Sequence, residues 1–163
     1  MEFAAAIGAV DLKKLFDYSE YHGLFKRSNY FLLDKDTFLV IKTSRSKIKP
    51  FYGLARPVYE QFNTLTHEAG TYFLVALDTS RSGWVLLKEQ LIGQKESSQI
   101  SFSGEQDQYK INNYNFGTQH RFHSPEAFLG KVRGQRRQDA YDNGIQAPSL
   151  RSAADAERYP ERK

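Results

Sequence analysis

Between Thr37 and Tyr59 the chain carries Lys42, Arg45, Lys47, Lys49 and Arg56, and no acidic residue. Ser44 and Ser46 add small hydrogen-bond donors, and the pair Phe51-Tyr52 adds aromatic area. Cations contact phosphate oxygens, and aromatic rings stack on bases whatever their sequence, so this mixture suits nucleic acid. On that reading Arg45, Lys47, Lys49, Tyr52 and Arg56 are the binding residues. The bland counterpart is a solvated basic loop beside a hairpin. Arg133, Arg136 and Arg137 offer a second anchoring point, among Gln and Asp residues that nearly balance their charge.

Other chemistry is sparse. His120 and His123 form an H-x-x-H pair, which would share one face of a helix and could hold a metal. Gly117 and Pro125 flank them, however, and no third ligand is apparent. The neighbouring Asn112, Asn113 and Asn115 read as a strand end and turn. There is no cysteine, which excludes disulfides, thiolate zinc sites and cysteine nucleophiles. No glycine-rich phosphate loop, nucleophile elbow or dinucleotide fingerprint is present.

The elements that would position these residues are legible in outline. Asn29–Leu33 and Phe38–Ile41 are β-rich runs around the polar turn 34–37, and they predict a hairpin ending in Lys42. Asp11 is a candidate N-cap for a helix over 11–20, with Leu12, Leu15 and Phe16 on one face. Lys49–Tyr52 reads as a short third strand. Pro57 suits a first helical turn, Val58, Phe62, Leu65 and Ala69 follow at helical spacing, and Gly70 suits a stop. The apolar run Tyr72–Leu77 predicts a central strand covered on both faces. A turn over 78–83 leads to a strand from Trp84 to Leu87, with core packing expected for Trp84. Ile100–Phe102 and Tyr109–Ile111 read as shorter strands of the same sheet or its edge.

Composition bounds the rest. At 163 residues and 40% hydrophobic, the chain can bury a real core. No run reaches the length of a membrane span, so no membrane partner is expected. The apolar stretch 1–10 lacks a basic leader and a small-residue cleavage pattern, which argues against a signal peptide. Together with the absence of cysteine, this is compatible with a cytoplasmic location. A net charge of +4 and a pI near 9.2 are modest evidence for a polyanionic partner. After Gly130 the sequence turns to Arg, Gln, Asp, Ala and Ser and holds too little apolar surface to order itself alone. The expected organisation is an α/β domain over 1–129 and a polar basic tail, or partner-wrapping arm, over 130–163.

With helix, hairpin, third strand, helix and central strand in that order, and with Phe38-Leu-Val-Ile-Lys-Thr-Ser44, the chain resembles the restriction-endonuclease-like, or PD-(D/E)XK, nucleases. Those residues look like the family strand that ends in Glu-x-Lys-Thr-Ser. Tyr72–Leu77 and Ser82-Gly-Trp-Val-Leu86 look like later strands of its small Mrr-like members. The resemblance covers about half the chain, roughly 11–87. It implies a mixed central sheet flanked by helices, an αβββαβ core with extra C-terminal strands, and a Mg²⁺-dependent phosphodiesterase site in which two acids hold the metal beside a lysine. Lys42 matches the family lysine, Val40 stands where its Glu should be, and Asn29 falls where the first Asp would be.

A two-residue turn at Lys35-Asp36 would set Asn29 opposite Lys42, with Val40 on the same strand face. The three aligned positions would then cluster, yet an amide, an isopropyl group and an ammonium are poor Mg²⁺ ligands. Asp36 lies six residues from Lys42, roughly 20 Å along a strand. Glu20, Glu60 or Gln61 are left as residues that could reach the site from helices. The leading expectation is therefore a nucleic-acid-binding protein, DNA favoured over RNA, with a nuclease-like fold and an incomplete metal site. One alternative is an active Mg²⁺-dependent endonuclease that takes acids from elsewhere, with Lys42, Asn29 and Glu20 as its catalytic candidates. The other is a non-enzymatic structural or interaction subunit of a larger assembly, whose basic loop and tail dock on protein or RNA.

Overall fold

In the computed structural model, the strand Thr71–Leu77 is the centre of the architecture, and the fold is mixed α/β. The structure describes residues 2–14, 30–34, 36–44, 48, 50–67 and 70–142. Among the described residues nine strands run β1 (Val10–Asp11), β2 (Tyr30–Leu32), β3 (Thr37–Thr43), β4 (Phe51–Ala55), β5 (Thr71–Leu77), β6 (Gly83–Leu87), β7 (Ser101–Ser103), β8 (Gln108–Asn112) and β9 (Arg121–Phe122). Four α-helices among the described residues are α1 (Glu2–Ile7), α2 (Arg56–Leu65), α3 (Lys88–Glu96) and α4 (Pro125–Asp142). Six strands form one mixed sheet in the order β1-β2-β3-β5-β6-β9, and three form a second in the order β4-β8-β7.

The seven residues of β5 are all buried, as a run of Tyr, Phe, Leu and Val without alternation requires. β3 lies parallel to it, with Thr37 beside Thr71 and Lys42 beside Ala76. A parallel neighbour needs a crossover, and α2 supplies one. Pro57 sits in its first turn, and Val58, Tyr59 and Phe62 are buried. The helix ends at Leu65, short of Gly70. That glycine instead begins the approach to β5 at φ +86°, where Thr71 N–H donates to the Asp36 carbonyl (3.0 Å) and a Cβ would crowd the same oxygen. Phe62 gathers the rings of Tyr30, Phe38 and Tyr72 at 5.5–5.8 Å between centroids. Truncating it to Ala would cost about 3–5 kcal/mol.

The hairpin forms, with a different register. Tyr30 faces Val40, Phe31 faces Leu39 and Leu32 faces Phe38. Leu33 N–H donates to the Thr37 carbonyl (2.8 Å), so the loop holds three residues, 34–36, rather than two. The approach of Thr71 to the Asp36 carbonyl occupies part of that loop and favours the longer turn. One added loop residue slips the pairing by one and exchanges the strand faces.

The start of the chain also differs from expectation. Asp11 is not an N-cap; it lies in β1, opposite Phe31, and is followed by a 3₁₀ turn over Leu12–Lys14. The rest of the helix expected over 11–20 falls outside the described residues. The first helix is α1, whose Phe3, Ala4 and Ile7 are buried, and Gly8 at φ +76° closes it.

The later short strands leave the main sheet. β3 has β2 on one edge and β5 on the other, so no place remains for β4 beside it. β4 pairs instead with β8, and β8 with β7. Tyr52, Leu54 and Ile111 turn into the core shared with Val40, Tyr72 and Leu74. Helix α3, which the sequence reading did not anticipate, is opened by Gln90, whose Oε1 accepts the Leu87 N–H (2.8 Å). It buries only Leu91.

The chain divides into two units, Met1–Pro125 and Glu126–Lys163. The second begins within α4, which runs through Gly130 as far as Asp142. Pro125 opens it and Glu126 occupies its first turn. Gln135 and Gln138 donate one turn on to Asp139 (2.9 Å) and Asp142 (2.8 Å). The described part of the expected tail is therefore helical, and 143–163 lie outside the described residues. No described helix is long and apolar enough to cross a membrane.

Candidate nucleic-acid interface

Lys42 is the last residue but one of β3, whose other residues are almost all buried. It shares a face with Val40, and its ammonium lies 5.9 Å from the centre of the Tyr30 ring. Burial pushes its pKa below the usual lysine value, and it has no carboxylate partner among the described residues.

The described pairing of β2 with β3 differs by one residue from the register on which the anticipated cluster depended. Tyr30, an aromatic ring, takes the place opposite Val40, and Val40 is buried in the apolar core. Asn29 and Glu20 lie outside the described residues. Asp34 and Asp36 sit in the loop at the far end of β3. The donors around Lys42 do not fit Mg²⁺, which takes oxygen ligands. Among the described residues no three His, Asp or Glu side chains gather to hold a metal.

Burial and pairing correct the expectation for two of the binding residues. Tyr52 is 1% exposed, and its hydroxyl lies 3.4 Å from the Leu77 carbonyl it donates to, so it cannot stack on a base. Burial first, then the nearby Asp78, raises its pKa. Arg56 is already neutralised. Its Nε and a terminal nitrogen donate to both oxygens of Asp107 (2.7 and 3.0 Å), and the other donates to Glu60 (2.8 Å). That bidentate clamp ties the end of β4 to the turn before β8, where Asp107 stands at φ +54°.

Arg45, Lys47 and Lys49 lie outside the described residues, but their flanks are described. Ser44 Oγ accepts the Phe51 N–H (2.9 Å), holding together the two ends of the segment. Ile48 within it is 90% exposed, and Phe51 just after it is 38% exposed. Ser44, after which this segment follows in the sequence, lies at the same end of β3 as Lys42.

The carboxyl ends of β3 and β5 are also flanked by two clefts of about 280 Å³ each, both bordered by Ser44, Leu77 and Asp78. Asp78 is the acid that sequence reasoning passed over as a turn residue. Ser82 Oγ donates to it (2.7 Å) and Arg121 pairs with it (2.9 Å). Burial alone would raise its carboxyl, but the hydrogen bonds from Ser82 and Arg121 outweigh burial and hold it below the usual range. Arg121 lies 4.5 Å from the Trp84 ring, which stacks on Phe116. This set reads as a tied corner of the sheet, consistent with the packing role expected of Trp84. The only hint in the sequence was an Asp four residues before a Ser in a turn.

His120 and His123 do not share a helical face. His120 ends a 3₁₀ turn, is buried, and accepts the Gly117 N–H at Nδ1 (2.9 Å), while His123 is exposed beyond β9. Compared with protein-family models, curated proteins and solved structures, the chain finds no match.

Proposed function

We propose that the protein binds nucleic acid, DNA in preference to RNA, on a nuclease-like scaffold that does not assemble a metal site around Lys42. One observation carries the reading. Lys42 is half-buried without an acidic partner among the described residues, at the strand end from which the acid-free segment bearing Arg45, Lys47 and Lys49 departs. A cation removed from water and left without a counter-charge favours an anion, and phosphate supplies one.

The element order supports the scaffold. α1 precedes three strands that are consecutive in the main sheet, β1-β2-β3, and α2 then crosses to the parallel β5. Counting the main sheet alone, the described elements run αβββαβ; in the chain β4, which belongs to the second sheet, stands between β3 and α2. β6 follows β5 as a further antiparallel neighbour.

Binding of labelled duplex DNA should weaken steeply with salt. Substituting Arg45, Lys47 and Lys49 together by Ala should flatten the dependence of log K on log salt by about 2–3, since each phosphate contact contributes about 0.9. An unchanged affinity and slope would remove the reading's support. A non-enzymatic protein-docking subunit would be left as the alternative.

A further inference from the structure

We propose that the outer face of the β4-β8-β7 sheet, at its Phe51 end, is a stacking platform for the bases of single-stranded nucleic acid. The inference rests on the nucleic-acid reading above and names the strandedness of the ligand and the surface that reads it.

In a sheet covered on one side, alternate side chains face solvent. β4 turns Tyr52 and Leu54 inward, which leaves Phe51, Gly53 and Ala55 on the outer face. Register sets Asn112 beside Phe51, and Lys110 beside Gly53 and Ser101. The face thus presents one ring and one cation amid small or polar side chains. The Lys110 ammonium lies 6.0 Å from the centre of the Phe51 ring.

Exposed apolar side chains concentrate around this sheet. Among the described residues of Met1–Pro125, the large exposed ones are Val10, Ile48, Phe51, Phe102 and Tyr114. Ile48 leads into β4, Phe51 begins it and Tyr114 follows β8 by two residues, whereas Phe102 of β7 belongs to the other face, in line with Tyr109 and Leu54. Tyr114 is 74% exposed, and its hydroxyl accepts from Asn112 (3.1 Å), which stands beside Phe51. Two rings therefore flank one end of the sheet.

Charge selects the occupant. None of the three strands contains an acid, Lys110 stands on the face, and Arg45, Lys47 and Lys49 precede Phe51 in the sequence. The nearest acids along these strands, Glu105 and Asp107, belong to the β7–β8 turn at the opposite end, where Arg56 clamps Asp107. An apolar protein surface would gain little from this excess of cations. A single strand offers unstacked bases to the rings and phosphates to the lysines, whereas a duplex keeps its base faces covered.

The test compares labelled oligo(dT), oligo(U) and a duplex of equal length by fluorescence anisotropy at low salt. Single strands are expected to bind more tightly than duplex. The double variant Phe51→Leu/Tyr114→Leu keeps apolar bulk and should lose roughly ten-fold in single-strand affinity, with duplex binding unchanged. Phe51→Tyr, which retains a ring, should bind as wild type does. Thermal melts of each variant establish that the fold is intact. Equal affinity for single strands and duplex, unaffected by the double variant but lowered by the triple Arg45/Lys47/Lys49→Ala variant, would overturn the platform and leave the nucleic-acid reading standing. Absence of binding to every probe would overturn both.

Discussion

Lys42 holds its ammonium 5.9 Å from the centre of the Tyr30 ring, on the face of β3 that otherwise enters the core. The ring's electron-rich face compensates the cation in part, because a partly desolvated ammonium gains from an aromatic quadrupole. No carboxylate among the described residues completes the compensation, and burial lowers the lysine pKa. The pair keeps a positive charge available at the end of the central strands.

Lys42→Met should therefore leave stability unchanged or raise it, because an apolar chain of similar length replaces a poorly solvated charge. The sign with pH follows from the lowered pKa. Below it both folded and unfolded states are protonated and the penalty is complete; as pH rises towards the ordinary lysine value, wild type sheds the proton and the penalty. The stability difference between the variant and wild type should shrink over that interval in urea titrations. In the same protein, nucleic-acid affinity should fall, which separates the ligand role of the lysine from any structural one.

Arg56→Ala is expected to behave differently from substitutions in the 45–49 segment. Its guanidinium is shared between Asp107 and Glu60, so little charge is left for phosphate. Nucleic-acid affinity should change far less than in the triple Arg45/Lys47/Lys49→Ala variant. The carboxyl of Asp107 is held below the usual range chiefly by its hydrogen bond to Arg56, and its NMR titration should move back up in Arg56→Ala. What the clamp contributes to stability is present above the ordinary carboxylate pKa and is lost as pH falls through the lowered one.

At the end of the β3–β5 pair opposite Lys42, Thr37 and Thr71 stand side by side, 1% and 4% exposed, with neither hydroxyl hydrogen-bonded. A buried hydroxyl without a partner costs on the order of 1–3 kcal/mol. Thr71→Val keeps the branched shape that a β-strand favours and removes the hydroxyl. It should raise stability by about 1 kcal/mol, read as a higher urea midpoint at constant m-value. A lower midpoint would mean that the hydroxyl is satisfied in solution.

The strong elements were legible because their signals are local. Seven apolar residues made β5 a buried strand, and proline followed by helical spacing marked α2. Register was not local. Leu33 pairs with Thr37 because the loop carbonyl of Asp36 is engaged by Thr71, thirty-five residues on, and no pattern within 29–42 encodes that contact. The separate sheet escaped for a related reason: β4 joins β8 only because both edges of β3 are occupied. Tyr52 and Phe51 look equivalent as neighbouring aromatic residues, and strand parity alone decides that the first is core and the second is surface. Arg56 reads as a free cation until the β7–β8 turn brings Asp107 to it.

The same register bears on catalysis. An Mg²⁺ site beside Lys42 would need oxygen donors, and the neighbouring positions offer Val40 and Tyr30. Asp34 and Asp36 lie at the far end of β3, roughly 20 Å from Lys42. Labelled DNA incubated with the protein and Mg²⁺ or Mn²⁺ should therefore remain uncut under conditions where it is bound. Cleavage by wild type that disappears in Lys42→Ala would require acids brought in from elsewhere. Glu20→Gln and Asn29→Ala would then show whether those two positions contribute. Cleavage that persists in Lys42→Ala would locate any activity away from this strand end and leave Lys42 as a phosphate contact.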